Sequence, residues 1–386
     1  MIAIVGGGIG GLAAALGLAR QGRAVTVFEQ SARHEELGAG LQLGPNAVRA
    51  LQSLGAWEAV APHCVAPRAL TVRKGETGGV LSETDLEAAF ERRFGAPYRV
   101  AHRGDLMRGL LDTVKRTPGI DLVTGARIDH AEIAGGSLRL SVSGRGKMEP
   151  DAVVGADGVR SVVRQALIGD GPPRRSGYVY FRALVPTAKA PEGISREDVT
   201  VWLLPGAHIV HYPVSAGRQI NIVAVSRGEW VGEGWSALAQ HGDLDQPFAA
   251  GCQTLKSLLA APANWLKWAG SVREPTPGWS KGRATLLGDA AHPIPPYLAQ
   301  GSAMALEDAV VLGHACGASG DLAEAFKAYE AARFARTARM AKASVRQGEL
   351  YHLEGVSRFF RDVALRVIPS EATIGRLSWL YSWMPP

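Results

Sequence analysis

Between the short apolar run Ile2 to Val5 and the Ala/Leu-rich segment Leu12 to Gln21 stands Gly6-Gly7-Gly8-Ile9-Gly10-Gly11, and no other stretch restricts the fold as much. The first run reads as a buried strand and the second as a helix packed on a sheet. Val25-Thr26-Val27-Phe28 reads as the next strand. A glycine turn in this strand–turn–helix setting is the fingerprint of a dinucleotide-binding βαβ unit. Gly6 permits the tight turn, Gly8 lets a pyrophosphate approach the backbone, and Gly11 allows the helix to lie close on the strand. The helix N-terminus then faces the anion. Glu29 ends the second strand, 18 positions after Gly11, where its carboxylate can accept hydrogen bonds from both hydroxyls of an adenosine ribose. At this point FAD and NAD fit equally, and the plain alternative is a glycine turn followed by a surface glutamate.

The remaining composition narrows the class by exclusion. A length of 386 residues suffices for one large or two merged domains with a substantial core. The formal charge of +6 favours an anionic ligand, but acids interleave with the bases up to about residue 320, so no nucleic-acid stripe forms. Cys64, Cys252 and Cys316 are odd in number and far apart, which predicts no disulfide framework, no zinc or other metal site, and a reducing cytoplasm. The N-terminus runs straight into a strand pattern without a leader, so the chain is not expected to be secreted. Each long apolar stretch is broken by Gly, Arg or Asp before the roughly 18 to 20 residues a membrane span needs.

Two later motifs decide which dinucleotide. The apolar strand Ala152-Val153-Val154 runs into Gly155-Ala156-Asp157-Gly158-Val159-Arg160-Ser161-Val162-Val163-Arg164. Arg283-Ala284-Thr285-Leu286-Leu287-Gly288-Asp289-Ala290-Ala291-His292-Pro293 repeats the pattern of a strand ending in a glycine-flanked aspartate, ahead of a long Ala/Leu-rich helix. Together with the first fingerprint this set resembles the single-component FAD-dependent aromatic hydroxylases of the para-hydroxybenzoate hydroxylase fold, over nearly the whole chain. In look it stands nearest to salicylate, 3-hydroxybenzoate and 6-hydroxynicotinate hydroxylases. The resemblance makes the first fingerprint a site for resident FAD, with NADH or NADPH as a visitor that has no Rossmann domain of its own. It assigns Glu29 to the adenosine ribose, Arg103 to the cofactor's neighbourhood, Asp289 to the ribitol, and Asp157 to a place between FAD and the nicotinamide path. Gly301 and Ser302 then meet the flavin pyrimidine edge at a helix N-terminus, and Gly38 to Gln42, including Gly40 and Leu41, forms the opposite wall. For both Asp157 and Asp289 the alternative is a helix-capping turn aspartate.

The expected fold is α/β: an FAD-binding Rossmann-like domain with an inserted mixed β-sheet substrate domain and C-terminal helices. Short β-type runs at Tyr178 to Val185, Val199 to Leu204, His208 to Val214 and Gln219 to Ser226 mark the inserted sheet. The FAD domain is expected from residues 1–66, 99–168 and 280–320, the substrate domain from 67–98 and 169–279, and a helical segment from 321–386. Alternation places His208, Val210 and Tyr212 on one strand face and His211 on the other. Deprotonating a phenol makes its ring a better nucleophile, and a histidine near neutrality suits that step. His208 is therefore the candidate base, with Tyr212 beside it and His292 at the flavin rim; Arg182 is the candidate for a substrate carboxylate, and Tyr297 and Gln300 are secondary substrate contacts.

The resemblance implies that NAD(P)H reduces FAD, that O₂ forms a C4a-hydroperoxyflavin, and that its distal oxygen passes to a small phenolic ring. The expected partners are this aromatic substrate and O₂, in a monomer or homodimer. Rivals are a hydroxylase of a heteroaromatic such as a hydroxynicotinate, purine or indole, a flavin reductase of the same fold, and a non-catalytic flavin-binding protein. A plain NAD-dependent dehydrogenase leaves both aspartate motifs unexplained.

Overall fold

A computed structural model describes residues 1–32, 39–134, 137–230, 234–240 and 242–386. From the N-terminus, β1 (Ile2–Val5), α1 (Ile9–Ala19) and β2 (Val25–Phe28) form the βαβ unit. There follow β3 (Gly40–Leu43), α2 (Pro45–Ser53), α3 (Trp57–Val60), β4 (Ala69–Lys74), β5 (Val80–Asp85), α4 (Ala88–Phe94), β6 (Arg99–His102), α5 (Arg103–Arg116) and β7 (Ile120–Val123). A small antiparallel sheet of β8 (Ile128–Ala134), β9 (Ser137–Val142) and β10 (Gly146–Met148) precedes β11 (Ala152–Gly155) and α6 (Val162–Leu167). Next come β12 (Arg174–Pro186), β13 (Val199–Leu204), β14 (Ala207–Val214), β15 (Gln219–Arg227), β16 (Ser236–Leu238), α7 (Asp245–Phe248), α8 (Gln253–Ala260) and β17 (Leu266–Val272). The chain returns through β18 (Ser280–Lys281) and β19 (Ala284–Leu286) and ends in α9 (Gly301–Ala318), α10 (Leu322–Tyr351), α11 (Gly355–Val367), α12 (Ser370–Arg376) and α13 (Ser378–Tyr381).

Two large sheets carry the architecture. The first has the order β18-β19-β11-β1-β2-β7 and is parallel except at β18. Its strands β1, β2, β11 and β19 are buried on both faces, which is why they read as unbroken apolar runs. α1 is buried nearly all round because α9 lies directly across it. Glycine permits that crossing: a Cβ on Gly17 would stand 2.4 Å from the Ala309 carbonyl oxygen, and one on Gly313 would stand 2.5 Å from that of Gly17. The second sheet has the order β16-β17-β12-β15-β14-β13-β4-β5, antiparallel except between β13 and β4. One face packs on α7 and α8 through Phe181, Trp202, Ile209, Ile222, Phe248 and Leu255. The other face turns toward the first sheet.

The expected α/β architecture with an inserted mixed sheet and C-terminal helices is the one observed. β13 occupies the expected residues, while β12 extends beyond its expected run at both ends. β16 and β17 were not expected, and within the expected helical segment α10 runs to Tyr351. Among the described residues no helix is long and apolar enough to cross a membrane.

Candidate active site

The glycine loop shows why each of its glycines is needed. Gly6 has φ +101°, and a Cβ there would meet the Ala156 carbonyl oxygen at 2.5 Å, so motif one abuts motif two. A Cβ on Gly11 would overlap the Gly6 carbonyl at 1.8 Å, whereas one on Gly8 would meet nothing within 4 Å. The loop is thus packed tightly on its protein side and open beside Gly8, the flank from which a pyrophosphate can reach the N-terminal amides of α1. Those amides carry no side-chain cap, which leaves them for an anion. Glu29 is fixed by two backbone donors, Gly7 N–H to Oε2 at 2.7 Å and Ser31 N–H to Oε1 at 2.8 Å. Each oxygen keeps a lone pair for a ribose hydroxyl.

Motifs two and three are bonded to each other. Arg164, at the end of motif two, is 1% exposed and donates through Nη1 to the carbonyls of Ala290 and Ala291 at 2.9 and 2.7 Å. Asp170 balances its charge at 2.6 Å. Asp157 caps the following helix by accepting from Val162 N–H at 2.7 Å, and its Oδ1 is a buried atom with no partner. Burial raises its pKa, opposed by Ser161 and the Val163 and Val162 amides.

Asp289 occupies the turn that Arg164 clamps. Its side chain is open to solvent, yet loss of solvation raises its pKa against the pull of His292 and Arg103, as befits a carboxylate in a recess. Asp308 grips the same turn from α9, accepting from Gly288 N–H at 3.0 Å and lying 2.6 Å from His292 Nε2. Asp308 and Glu307 are fully buried against Arg333, which lies 2.6 Å from the first and 2.8 Å from the second. Burial works to raise the Asp308 carboxyl, but His292 and Arg333 bring it down to about 2. These clamps were not singled out from the sequence, because each joins residues far apart in the chain; the adjacent acids in an otherwise Ala/Leu-rich helix were the available signal.

Gly301 and Ser302 open α9, an 18-residue helix without a side-chain cap, and a Cβ on Gly301 would meet nothing within 4 Å. Gly40 pairs with His102 and Leu41 with Ala101, so β3 stands beside Arg103. Gly40 also touches the second sheet: its N–H donates to Asn221 Oδ1 at 2.7 Å, and a Cβ would stand 2.7 Å from the Tyr212 ring. Gly38 of the expected wall lies outside the described residues.

The inward face of the second sheet is ordered in rows of directly paired residues. The row nearest Gly40 contains Tyr212, Asn221 and Leu184; the next contains Val210, Val223 and Arg182; then come His208, Val225 and Tyr180; then Arg227 and Tyr178. Only the second row is half-buried throughout, so it forms the floor of the recess. Arg182 lies there with its guanidinium carbon 5.3 Å from the Trp268 ring centre and with a buried Nε that has no partner. Burial lowers its pKa, and the proximity of Arg103 adds to that effect.

The other candidates divide between recess and scaffold. His211 points to the opposite face, as alternation required, and accepts from Trp202 Nε1 at 3.1 Å. His208 is buried, with Nδ1 2.7 Å from His352 Nε2. Tyr297 faces Tyr180, hydroxyl to hydroxyl, at 3.4 Å. Gln300 is 1% exposed and accepts from Asn46, and His292 turns its Nε2 to Asp308 while its Nδ1 has no partner among the described residues.

The protein thus has a glycine loop open beside Gly8 at an uncapped helix end, a carboxylate fixed by two backbone amides, a recessed carboxylate at Asp289 and a second uncapped helix end at Gly301. This donor set fits FAD. Residues 1–344 match the FAD-binding-domain family model. A 3-hydroxybenzoate 6-hydroxylase from Polaromonas naphthalenivorans (strain CJ2) is 38% identical over 384 residues, covering 99% of this chain and 96% of that protein. A 6-hydroxynicotinate 3-monooxygenase from Pseudomonas fluorescens is 32% identical, covering 89% of this chain and 90% of that protein. Klebsiella pneumoniae HpxO complexed with FAD and uric acid superposes with a TM-score of 0.85 at 27% identity, covering 99% of this chain and 97% of that one. By sequence along its whole length and by the geometry of its cofactor recess, the chain belongs to the FAD-binding family of FAD-dependent aromatic monooxygenases.

Proposed function

We propose that the protein hydroxylates a small phenolic acid of the hydroxybenzoate type, consuming NADH or NADPH and O₂ and releasing water. Arg182 carries this reading: a guanidinium with an orphaned buried Nε, on an otherwise apolar floor, suits a ligand carboxylate. A carboxylate held there leaves the ring between the Tyr212 and His208 rows. His208 Nδ1 is taken up by His352, and Nε2 has no hydrogen-bond partner among the described residues, so it is the acceptor for the phenolic proton. Tyr212 and the Tyr180–Tyr297 pair bracket the ring with hydroxyls. Glu29 and the glycine loop hold the adenosine and pyrophosphate of FAD, Asp289 and Arg103 its middle, and Gly40, Leu41, Gly301 and Ser302 its flavin end. When bound, FAD supplies electron transfer from NAD(P)H and activation of O₂.

We further assign residues 1–66, 99–168 and 280–320 to the cofactor domain and 67–98 with 169–279 to the substrate domain. The three free cysteines accord with work in the cytoplasm, as a monomer or a homodimer. 6-Hydroxynicotinate also carries a carboxylate and satisfies Arg182, whereas a purine such as uric acid does not.

The test is NADH and NADPH oxidation with parallel O₂ uptake and product mass for 3-hydroxybenzoate, salicylate, 6-hydroxynicotinate and uric acid. The expected result is a gain of one oxygen on a phenolic acid and no turnover of uric acid. Turnover of uric acid alone would remove the carboxylate assignment, and no stimulation by any ring would move the reductase reading ahead.

A further inference from the structure

Asn46, the second residue of α2, is fully buried and makes both of its side-chain bonds through one atom. Nδ2 donates to Glu307 Oε1 at 2.7 Å and to Gln300 Oε1 at 2.9 Å. Its Oδ1 is buried with no hydrogen-bond partner. An amide left half satisfied in the interior costs stability, so some other need keeps it there. Glu307 does not supply that need, because Arg336 already donates to both of its oxygens at 2.7 Å and Arg333 Nη1 lies 2.8 Å from Oε2. Gln300 is the partner that remains.

The same bonds fix which end of each carboxamide faces which way. Burial works to raise the Glu307 carboxyl, but Arg333 and Arg336 hold it below its usual range, so it is ionised and can only accept. The Asn46 atom that faces it is therefore the nitrogen, and the Gln300 atom that faces this nitrogen is the oxygen. Gln300 Nε2 is left at the far end, with no hydrogen-bond partner among the described residues. Gln300 is the N-cap of α9, and beside it a Cβ on Gly301 would meet nothing within 4 Å.

We propose that Asn46 is a positioning residue: it turns the Gln300 carboxamide so that the NH₂ end donates into the cofactor recess, to a ring oxygen that carries negative charge. This rests on the reading of Gln300 as a contact of the recess. Two oxygens share that chemistry, the phenolate oxygen of a hydroxybenzoate and the pyrimidine carbonyl of reduced flavin beside the α9 N-terminus. A helix N-terminus already favours negative charge, and the fixed NH₂ adds a directed donor to it. An unheld glutamine can present its oxygen instead, which would repel the anion; the bond from Asn46 removes that orientation. The role transfers no proton.

The experiment takes two readings on the FAD-bound enzyme: the pKa of the phenol of bound 3-hydroxybenzoate, by absorbance titration with the flavin oxidised, and the reduction potential of the flavin without it. Gln300→Met, Gln300→Glu, Asn46→Leu and the double variant Asn46→Leu/Gln300→Met are compared with wild type. Losing one donor to an anion should weaken its stabilisation roughly tenfold or more. That loss is read as a phenol pKa higher by about 1 or as a lower flavin potential; the first assigns the phenolate, the second the flavin carbonyl. Asn46→Leu is expected to change the same reading as Gln300→Met, and the double variant to go no further than Gln300→Met. Gln300→Glu keeps the Asn46 contact but turns an acceptor to the recess, so it should be shifted beyond Gln300→Met. Wild-type readings in Asn46→Leu, with Gln300→Met shifted, overturn the positioning role and leave Gln300 as a recess contact. Wild-type readings in both overturn both. Should Asn46→Leu not fold, the other pair decides: Gln300→Glu no further from wild type than Gln300→Met means that the oxygen faces the recess, and the proposal fails. If the enzyme does not bind 3-hydroxybenzoate, the proposed substrate class falls and the flavin potential alone judges Asn46.

Discussion

As the proposed carboxylate anchor, Arg182 combines a cost in stability with a role in binding. Its guanidinium has left bulk water for the Val210–Val223 floor, its Nε bonds to nothing, and Arg103 lies near enough to disfavour its charge. Uncompensated buried charge costs stability, and a protein tolerates it where a ligand supplies the missing partner. Arg182→Met keeps the stem and removes the charge. The expected outcome is an unchanged or raised Tm and full FAD content, with binding of a carboxylate-bearing ring about 30- to 1000-fold weaker, the equivalent of roughly 2 to 4 kcal/mol for a desolvated charge pair. Flavin absorbance titration with the acid measures the second quantity and calorimetry the first. A variant that binds the acid as tightly as wild type removes Arg182 from the site. His292 differs, since a histidine beside a flavin motif draws attention, yet its Nε2 is committed to Asp308 and only Nδ1 is left without a partner among the described residues.

At the scale of elements, the site is held by ion pairs that tie α9 and α10 to the turn before them. α9 presents Glu307 and Asp308 to Arg333 and Arg336 of α10, and Asp308 reaches back to Gly288 and His292, so one carboxylate joins two helices to the turn that carries Asp289. Asp308→Asn leaves Arg333 short of one partner and unties that turn. Breaking a buried pair of this kind costs about 3 to 5 kcal/mol, and here weaker FAD retention should accompany the loss. Thermal unfolding with and without added FAD checks it, and a variant of wild-type stability that keeps FAD on dialysis contradicts it. This clamp also marks what could be read in the sequence. The strand–glycine–helix unit, the two later strand–Gly–Asp turns and β13 to β15 were legible because their signals are local: buried parallel strands are unbroken apolar runs, and inserted strands alternate. β17 was missed because Lys267, Gly270 and Ser271 interrupt its apolar run. Arg164 and Arg333 were missed as clamps for another reason, since nothing in a single chain of letters says which distant carbonyl or carboxylate a side chain will meet.

For the whole molecule, the buried histidines set how stability responds to acid. His211 is brought down to about 3, mainly by burial, and His352 to about 4, while His208 is held well below its usual value. A histidine kept neutral in the fold but free to protonate when unfolded favours unfolding as pH falls below about 6.5, each adding a slope of about 1.4 kcal/mol per pH unit. Asp308, depressed to about 2, withdraws its contribution only as pH falls from near 4 towards 2. Stability to urea should therefore decline from about pH 6.5 downward, before Asp308 protonates, and a flat profile from pH 6.5 to 4.5 sinks this account. The same wholeness governs the chemistry, because the two sheets must close on one recess to keep water from the activated oxygen. Where β3 meets the second sheet, Gly40 N–H donates to Asn221 Oδ1, and no side chain larger than hydrogen fits between Gly40 and Tyr212. Asn221→Ala opens this seam without touching the glycine loop, Asp157 or Asp289. FAD should stay bound and the aromatic acid should still stimulate NAD(P)H oxidation, but a larger share of the O₂ consumed should leave as H₂O₂. The ratio of peroxide to hydroxylated product, measured at one substrate concentration in both enzymes, reports this directly. An unchanged ratio means that water is excluded elsewhere, and a lost flavin means that the seam holds the cofactor itself.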